Sequence, residues 1–420
     1  MATSDGTVEA APAESSLRAG ITVIAVALFA TTFGWPGLIG RLPFGLMLKN
    51  SLHLPAQRVA AFWGLANLAW YAKPAIGLLC DAVPLFGTRR RAYLIVGGLA
   101  ATAMWLAFAA VPASYAGLLG VMIALNLALV VVSTVMGGML VETGQRYGAS
   151  GRLSAMREGL TGVMQLVAGP YGGWLASRAF GWTIGAGAAV ALTIVPTTLL
   201  LVREPRGARV DHAALATARA QLREIVRSRA MWAAAGLTFL VYVSPGFQTP
   251  LLYFQQDVLE FDAQFMGWLD LVAGAAALLG AVAYGVLCRR VPLRVSLVLG
   301  IALNAASSLF YLALAGKTSA FVINATAGVL AMLGILPLFD LAVRATPKGS
   351  ESFGYSLIMS VRNLAIFGVS DVVGSWLYDG LHWSFYRLVW VNALSSAAVL
   401  IFVPMLPRAL LAPRDGAPST

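Results

Sequence analysis

Long apolar runs parted by short polar loops organise this sequence from end to end. A helix needs about 20 mostly apolar residues to cross the hydrocarbon core of a bilayer. Runs of that order lie near 19–48, 56–80, 91–111, 115–142, 152–177, 182–202, 229–256, 263–288, 293–315, 318–345, 351–380 and 384–407. Twelve such runs predict an all-α integral membrane protein with twelve transmembrane helices. Only 11% of the residues are charged and 59% are hydrophobic, whereas a soluble domain carries about 25% charged residues. A soluble enzyme, a nucleic-acid-binding domain and a disordered chain are thereby excluded. The net charge of +11 is spread in small clusters between the runs, so it reads as topology and not as a nucleic-acid patch.

Those clusters are one-sided. With both termini on one side, twenty basic residues fall beside that side's loops and five beside the other. The excess places both termini in the cytosol, with the chain in the cell (inner) membrane. The N-terminal stretch lacks the basic start of a signal peptide, so the first run is expected to be a retained helix. Gly34-Trp35-Pro36-Gly37 interrupts that run and predicts a kink, tolerated where backbone is buried in protein or faces a cavity.

The longest polar stretch, 203–228, carries Arg203, Arg206, Arg209, Arg219, Arg223 and Arg227 and divides the runs six and six. Its second part reads as an amphipathic surface helix. The halves echo each other. Gly77-Leu78-Leu79-Cys80-Asp81 has a counterpart in Gly285-Val286-Leu287-Cys288-Arg289, and Arg157 has one in Arg362. The expected organisation is a cytosolic tail (1–18), a six-helix bundle (19–202), a cytosolic linker (203–228), a second, pseudo-symmetric six-helix bundle (229–407) and a cytosolic tail (408–420). Cys80 and Cys288 are expected to be reduced. His53, His212 and His382 lack metal-ligand spacing, and no nucleophile–base constellation is visible, so neither a metal, a cofactor nor an enzymatic activity is expected.

A charge at the bilayer centre costs about 2.5–3.5 kcal/mol on insertion scales, so embedded charges face a cavity or a partner. Lys73 could hold an anionic group or pair with a carboxylate. Arg157 and Arg362 could clamp substrate carboxylates bidentately or serve a gate. Among Glu142, Glu158, Asp270 and Asp371, burial could turn one into a proton site; Glu158 and Asp371 are the coupling candidates. Asp371, mid-run, could equally accept the donors of a substrate. Asp81, Arg89 and Arg90, around the loop after the second run, read as a gate latch made in one state and broken in another; Glu142, at the cytosolic end of the fourth run, is a further gating candidate or an ion-pair partner for an arginine at a helix end. Trp35, Trp70 and Phe247 lie near helix breaks or the embedded lysine and could stack on a flat ring; the alternative is ordinary packing.

The loop Asp81-Ala82-Val83-Pro84-Leu85-Phe86-Gly87-Thr88-Arg89-Arg90-Arg91 resembles the loop between spans 2 and 3 of the major facilitator superfamily. Gly64-Leu65-Ala66, Trp70-Tyr71-Ala72-Lys73-Pro74, Arg289-Arg290-Val291-Pro292-Leu293-Arg294, Pro347-Lys348-Gly349-Ser350-Glu351 and Met359-Ser360-Val361-Arg362-Asn363-Leu364 extend the resemblance to the folate–biopterin transporter family, over roughly 30 to 380. The chain departs from that family in span 4, where of the acidic residues only Glu142 remains, and in Ser244-Pro245-Gly246-Phe247-Gln248-Thr249-Pro250, which lacks an acid. The resemblance implies a major facilitator fold and a monomeric secondary transporter that moves a folate- or pterin-like organic anion by alternating access, with a proton as the candidate coupling ion. The other readings are a transporter of a muropeptide, peptide or other organic anion, and a non-transporting assembly factor or receptor.

Overall fold

The computed structural model describes residues 10–147, 150–207, 212–288, 290–347 and 351–411. Its elements in chain order are α1 (Ala10–Thr32), α2 (Arg41–Leu46), α3 (Ala56–Ala66), α4 (Leu68–Tyr71), α5 (Lys73–Ala82), α6 (Arg91–Ala110), α7 (Tyr115–Arg146), α8 (Ser150–Ala176), α9 (Phe180–Leu192) and α10 (Ile194–Leu201). They continue with α11 (His212–Arg227), α12 (Arg229–Val243), α13 (Gln248–Asp257), α14 (Ala263–Leu287), α15 (Leu293–Leu309), α16 (Lys317–Ala345), α17 (Glu351–Asn363), α18 (Asp371–Asp379), α19 (Phe385–Ala398) and α20 (Arg408–Leu411). A π-helical segment, Leu364–Ser370, joins α17 to α18.

Among the described residues, nine helices are long and apolar enough to cross a membrane. Their outward side chains confirm the solvent they expect: Leu279, Val282 and Ile401 are 67%, 69% and 71% exposed. Water would penalise such a surface, whereas lipid tails do not.

Two compact units emerge. One comprises Met1–Arg41, Ala75–Ala168 and Arg178–Leu215; the other comprises Leu42–Pro74, Gly169–Ser177 and Ala216–Thr420. In the first, α6 packs on α7 and α9 around the fully buried Trp105. Gly187 of α9 permits this approach, since a Cβ there would collide with the Trp105 ring. The kink expected at Gly34–Gly37 is present between α1 and α2. The Trp105 indole donates to the Gly34 carbonyl at 3.1 Å, which supplies the partner that the broken helix cannot.

In the second unit, α12, α15, α16 and α17 enclose an apolar core that includes Leu297, Leu341, Ala342 and Ile358. Two of the runs read from the sequence, the seventh (229–256, here span 7) and the eleventh (351–380, here span 11), are irregular. Span 7 breaks at Ser244–Phe247, between α12 and α13, and span 11 carries the π-helical segment. Such segments are frequent at functional sites.

Candidate functional site

Arg362 occupies the last turn of α17. Its guanidinium lies 4.7 Å from the ring centre of Tyr242 on α12 and 5.7 Å from that of Phe339 on α16. Arg362 Nε and the Tyr242 hydroxyl are both buried without a hydrogen-bond partner. An unmet buried donor costs about 1–3 kcal/mol. Rings at these distances attract the cation, and the in-plane N–H donors of a planar guanidinium fit a carboxylate. On the next turns of α16, Arg344 Nη2 donates to Asp340 at 3.0 Å, both side chains about one fifth exposed.

Lys73 and Trp70 belong to the same unit. Lys73 Nζ lies 5.2 Å from the Trp70 ring centre. The Ser360 hydroxyl donates to the Trp70 carbonyl at 3.4 Å, so the turn carrying Trp70 and Lys73 abuts α17 two residues from Arg362. Phe247 packs against Tyr311 and Phe385, with ring centres 5.2 and 5.6 Å away. Its ring is a member of an aromatic cluster in this state.

Asp371 is buried. Its two oxygens accept the Thr249 N–H at 2.9 Å and the Thr249 hydroxyl at 2.6 Å. Thr249 lies in the first turn of α13, so Asp371 caps that helix from another span. The Ser370 hydroxyl donates to the Ser244 carbonyl at 2.6 Å, the Gly246 N–H donates to the Ser370 carbonyl at 2.9 Å, and Asn392 Nδ2 donates to the Pro245 carbonyl at 2.9 Å. The break in span 7 is thus satisfied by spans 11 and 12. Gly374 allows it, because any side chain there would meet the Gly246 carbonyl.

The other candidates sit in the first unit. The Trp35 indole donates to buried Asn126 Oδ1 at 2.9 Å, within the kinked stretch. Arg157 and Glu158 are 51% and 72% exposed and 3.8 Å apart. Arg157 and Arg362, counterparts in the sequence echo, therefore have different surroundings. Of the gating candidates, Arg90 pairs with Glu142. The Asp81 side chain lies outside the described residues. The loop itself is fixed by Glu204, whose carboxylate accepts the N–H groups of Arg89, Arg90 and Arg91 at 2.7, 3.0 and 2.9 Å. That caps α6 with an anion at its N-terminus.

A further polar cluster in the second unit joins Lys49 to the end of α13. Lys49, its side chain 9% exposed, pairs with Asp257 and donates to Gln256 Oε1 at 2.8 Å, with Nζ 4.7 Å from the Tyr253 ring centre. The Tyr253 hydroxyl donates to the Leu54 carbonyl. Nearby on the chain, the Gln57 N–H donates to Asp379 at 2.7 Å.

Lys49, Asp257, Asp379, Tyr242, Phe339, Asp340 and Glu204 were not among the sequence candidates. The i, i+4 spacing of Asp340 and Arg344 was a usable signal. Tyr242, two residues before the Ser244-Pro245-Gly246 break, was another. Nothing local marks Glu204, whose partners come from 115, 114 and 113 residues earlier.

Membrane-length helices, broken spans and half-buried arginines define a membrane transporter. The fold agrees: a solved peptide transporter in complex with sulfate superposes with a TM-score of 0.73 at 12% identity, covering 94% of this chain and 96% of that one. This is the fold of major facilitator transporters. The chain belongs to the BT1 family, whose model matches residues 36–415. It is similar to a folate-biopterin transporter of Synechocystis, at 28% identity over 88% of this chain and 79% of the relative. It is also similar to folate transporter 2 of Plasmodium falciparum, at 22% identity over 76% of this chain and 72% of the relative. The expected resemblance to folate–biopterin transporters is borne out, as is the expectation of an integral membrane transporter and not an enzyme.

Proposed function

We propose that this protein carries a folate- or pterin-like organic anion across the cell (inner) membrane by alternating access. The proposal includes twelve spans in two six-helix bundles, 19–202 and 229–407, a cytosolic linker at 203–228, cytosolic termini and a monomeric state. One observation carries the substrate class: Arg362 lies within cation–π distance of Tyr242 and Phe339 and has a buried, unpartnered Nε. A carboxylate in the plane of the guanidinium would supply the missing acceptor. The names of the related folate transporters support a flat heteroaromatic anion.

In this reading Arg362 and Lys73 hold the anionic tail and Trp70 faces the ring, with Arg157, Trp35 and Phe247 as the remaining sequence candidates. Arg89, Arg90, Glu142 and Asp81 gate one side. The Lys49–Asp257 cluster closes the other, and such a pair must break for the site to open there. Asp371, buried and with both oxygens accepting from Thr249, is kept as the first coupling candidate. Glu158, more exposed, is the second coupling candidate.

The test is uptake of labelled folate into proteoliposomes, with and without an inward proton gradient. Saturable uptake lost in Arg362→Gln supports the reading. A folded protein that leaves folate outside in both conditions, yet accumulates a peptide or another organic anion, overturns the substrate and keeps the transporter.

A further inference from the structure

We infer that α11 is an interfacial helix that lies on the bilayer and binds anionic lipid headgroups through Arg219, Arg223 and Arg227. From Ala216 onward it belongs to the second unit. Ile225 is 2% exposed and sits in that unit's core beside Met231, so this edge of the helix is anchored to the protein. Leu222 and Val226, one turn apart on the same line of the helix, are instead 42% and 53% exposed. Arg219, Arg223 and Arg227 repeat every fourth position along an adjoining line, and all three are exposed. Three faces therefore lie side by side: Ile225 buried in protein, Leu222 and Val226 apolar and uncovered, and the three arginines cationic.

The apolar face is continuous with a lipid-facing surface. Trp232, in the first turn of α12, is 63% exposed, and its indole donates to the Val226 carbonyl at 2.8 Å. An indole at a span's end is suited to the headgroup level of a membrane. A helix that joins a span there, with leucine and valine on one line and arginines beside it, matches a bilayer surface in both apolarity and charge. Leucine and valine enter the acyl boundary while the guanidinium groups reach outward to phosphates. A protein partner would have to cover Trp232 as well, on a span that faces lipid.

The experiment uses the full chain in nanodiscs of phosphatidylcholine alone and of phosphatidylcholine with phosphatidylglycerol, and reads amide hydrogen exchange over 216–227. Exchange should be slower in the anionic discs, by up to about fivefold for each arginine near the surface. Arg219→Gln/Arg223→Gln/Arg227→Gln should erase the difference, and the corresponding Lys substitutions should keep it, because the attraction is one of charge. Leu222→Ser/Val226→Ser should speed exchange in both bilayers. Unchanged protection of α12 and α16 reports that each variant is folded. Equal exchange in the two bilayers, or a triple Gln variant that still responds to phosphatidylglycerol, would overturn the inference. So would Lys variants that behave like Gln.

Discussion

Asp371 accepts two hydrogen bonds from Thr249, 122 residues earlier in the chain, at 2.9 Å from its N–H and 2.6 Å from its hydroxyl. The bond pair ties the irregular stretch of span 11 to the break in span 7. Asp371→Ala leaves both donors buried and unpaired, and we expect a loss of about 2–4 kcal/mol, since bonds to charged acceptors contribute about 1.5–3 kcal/mol each and are not additive. Thr249→Val removes only the hydroxyl and should cost about half as much. Thermal unfolding in detergent measures both; equal losses would deny the backbone cap.

Arg362 separates charge from geometry. Lysine keeps the charge but loses the planar guanidinium near Tyr242 and Phe339 and its paired donors. Arg362→Lys should lower kcat/KM for a carboxylated substrate by roughly tenfold or more, equivalent to about 1.4 kcal/mol. Initial rates of uptake over a concentration series give this value. A lysine variant equal to wild type would mean that the position supplies only a positive field.

Glu204 and Glu142 should differ sharply although both are glutamates beside Arg90. Glu204 holds three backbone N–H groups at the start of α6, and Glu204→Ala should destabilise the protein by about 1–3 kcal/mol. Glu142 is 60% exposed in its pair with Arg90, and Glu142→Gln should cost under about 1 kcal/mol. Melting temperatures of the two variants, compared under one condition, decide it.

Lys49 should control access from its end of the protein. Lys49→Met removes the partner of Asp257 and the donor to Gln256, which favours the state in which spans 1 and 7 separate there. A cysteine introduced at Ala56, in a Cys288→Ser background, should react faster with a membrane-impermeant maleimide when Lys49→Met is added. No change in labelling rate would show that the pair does not hold the closed state.

The sequence by itself determined the solvent and the class. Runs of about 20 apolar residues can only be helices in lipid, because the bilayer offers no partner for unpaired backbone groups. The same local logic located the kink at Gly34–Gly37, since proline and glycine break a helix through their own covalent geometry. It also marked Arg362 and Lys73, because an embedded charge is costly wherever it stands. Residue roles were another matter. Phe247 and Trp35 could be read along the chain either as faces for a ligand ring or as ordinary packing, and their contacts, Phe247 with Tyr311 and Phe385 and Trp35 with Asn126, come from distant segments. Glu204, silent in the sequence, fixes the loop that the arginines advertised. Periodicity and cost per residue are local properties and can be read along the chain. The partner that satisfies a buried donor or acceptor comes from whichever span packs beside it, and only the tertiary structure decides that.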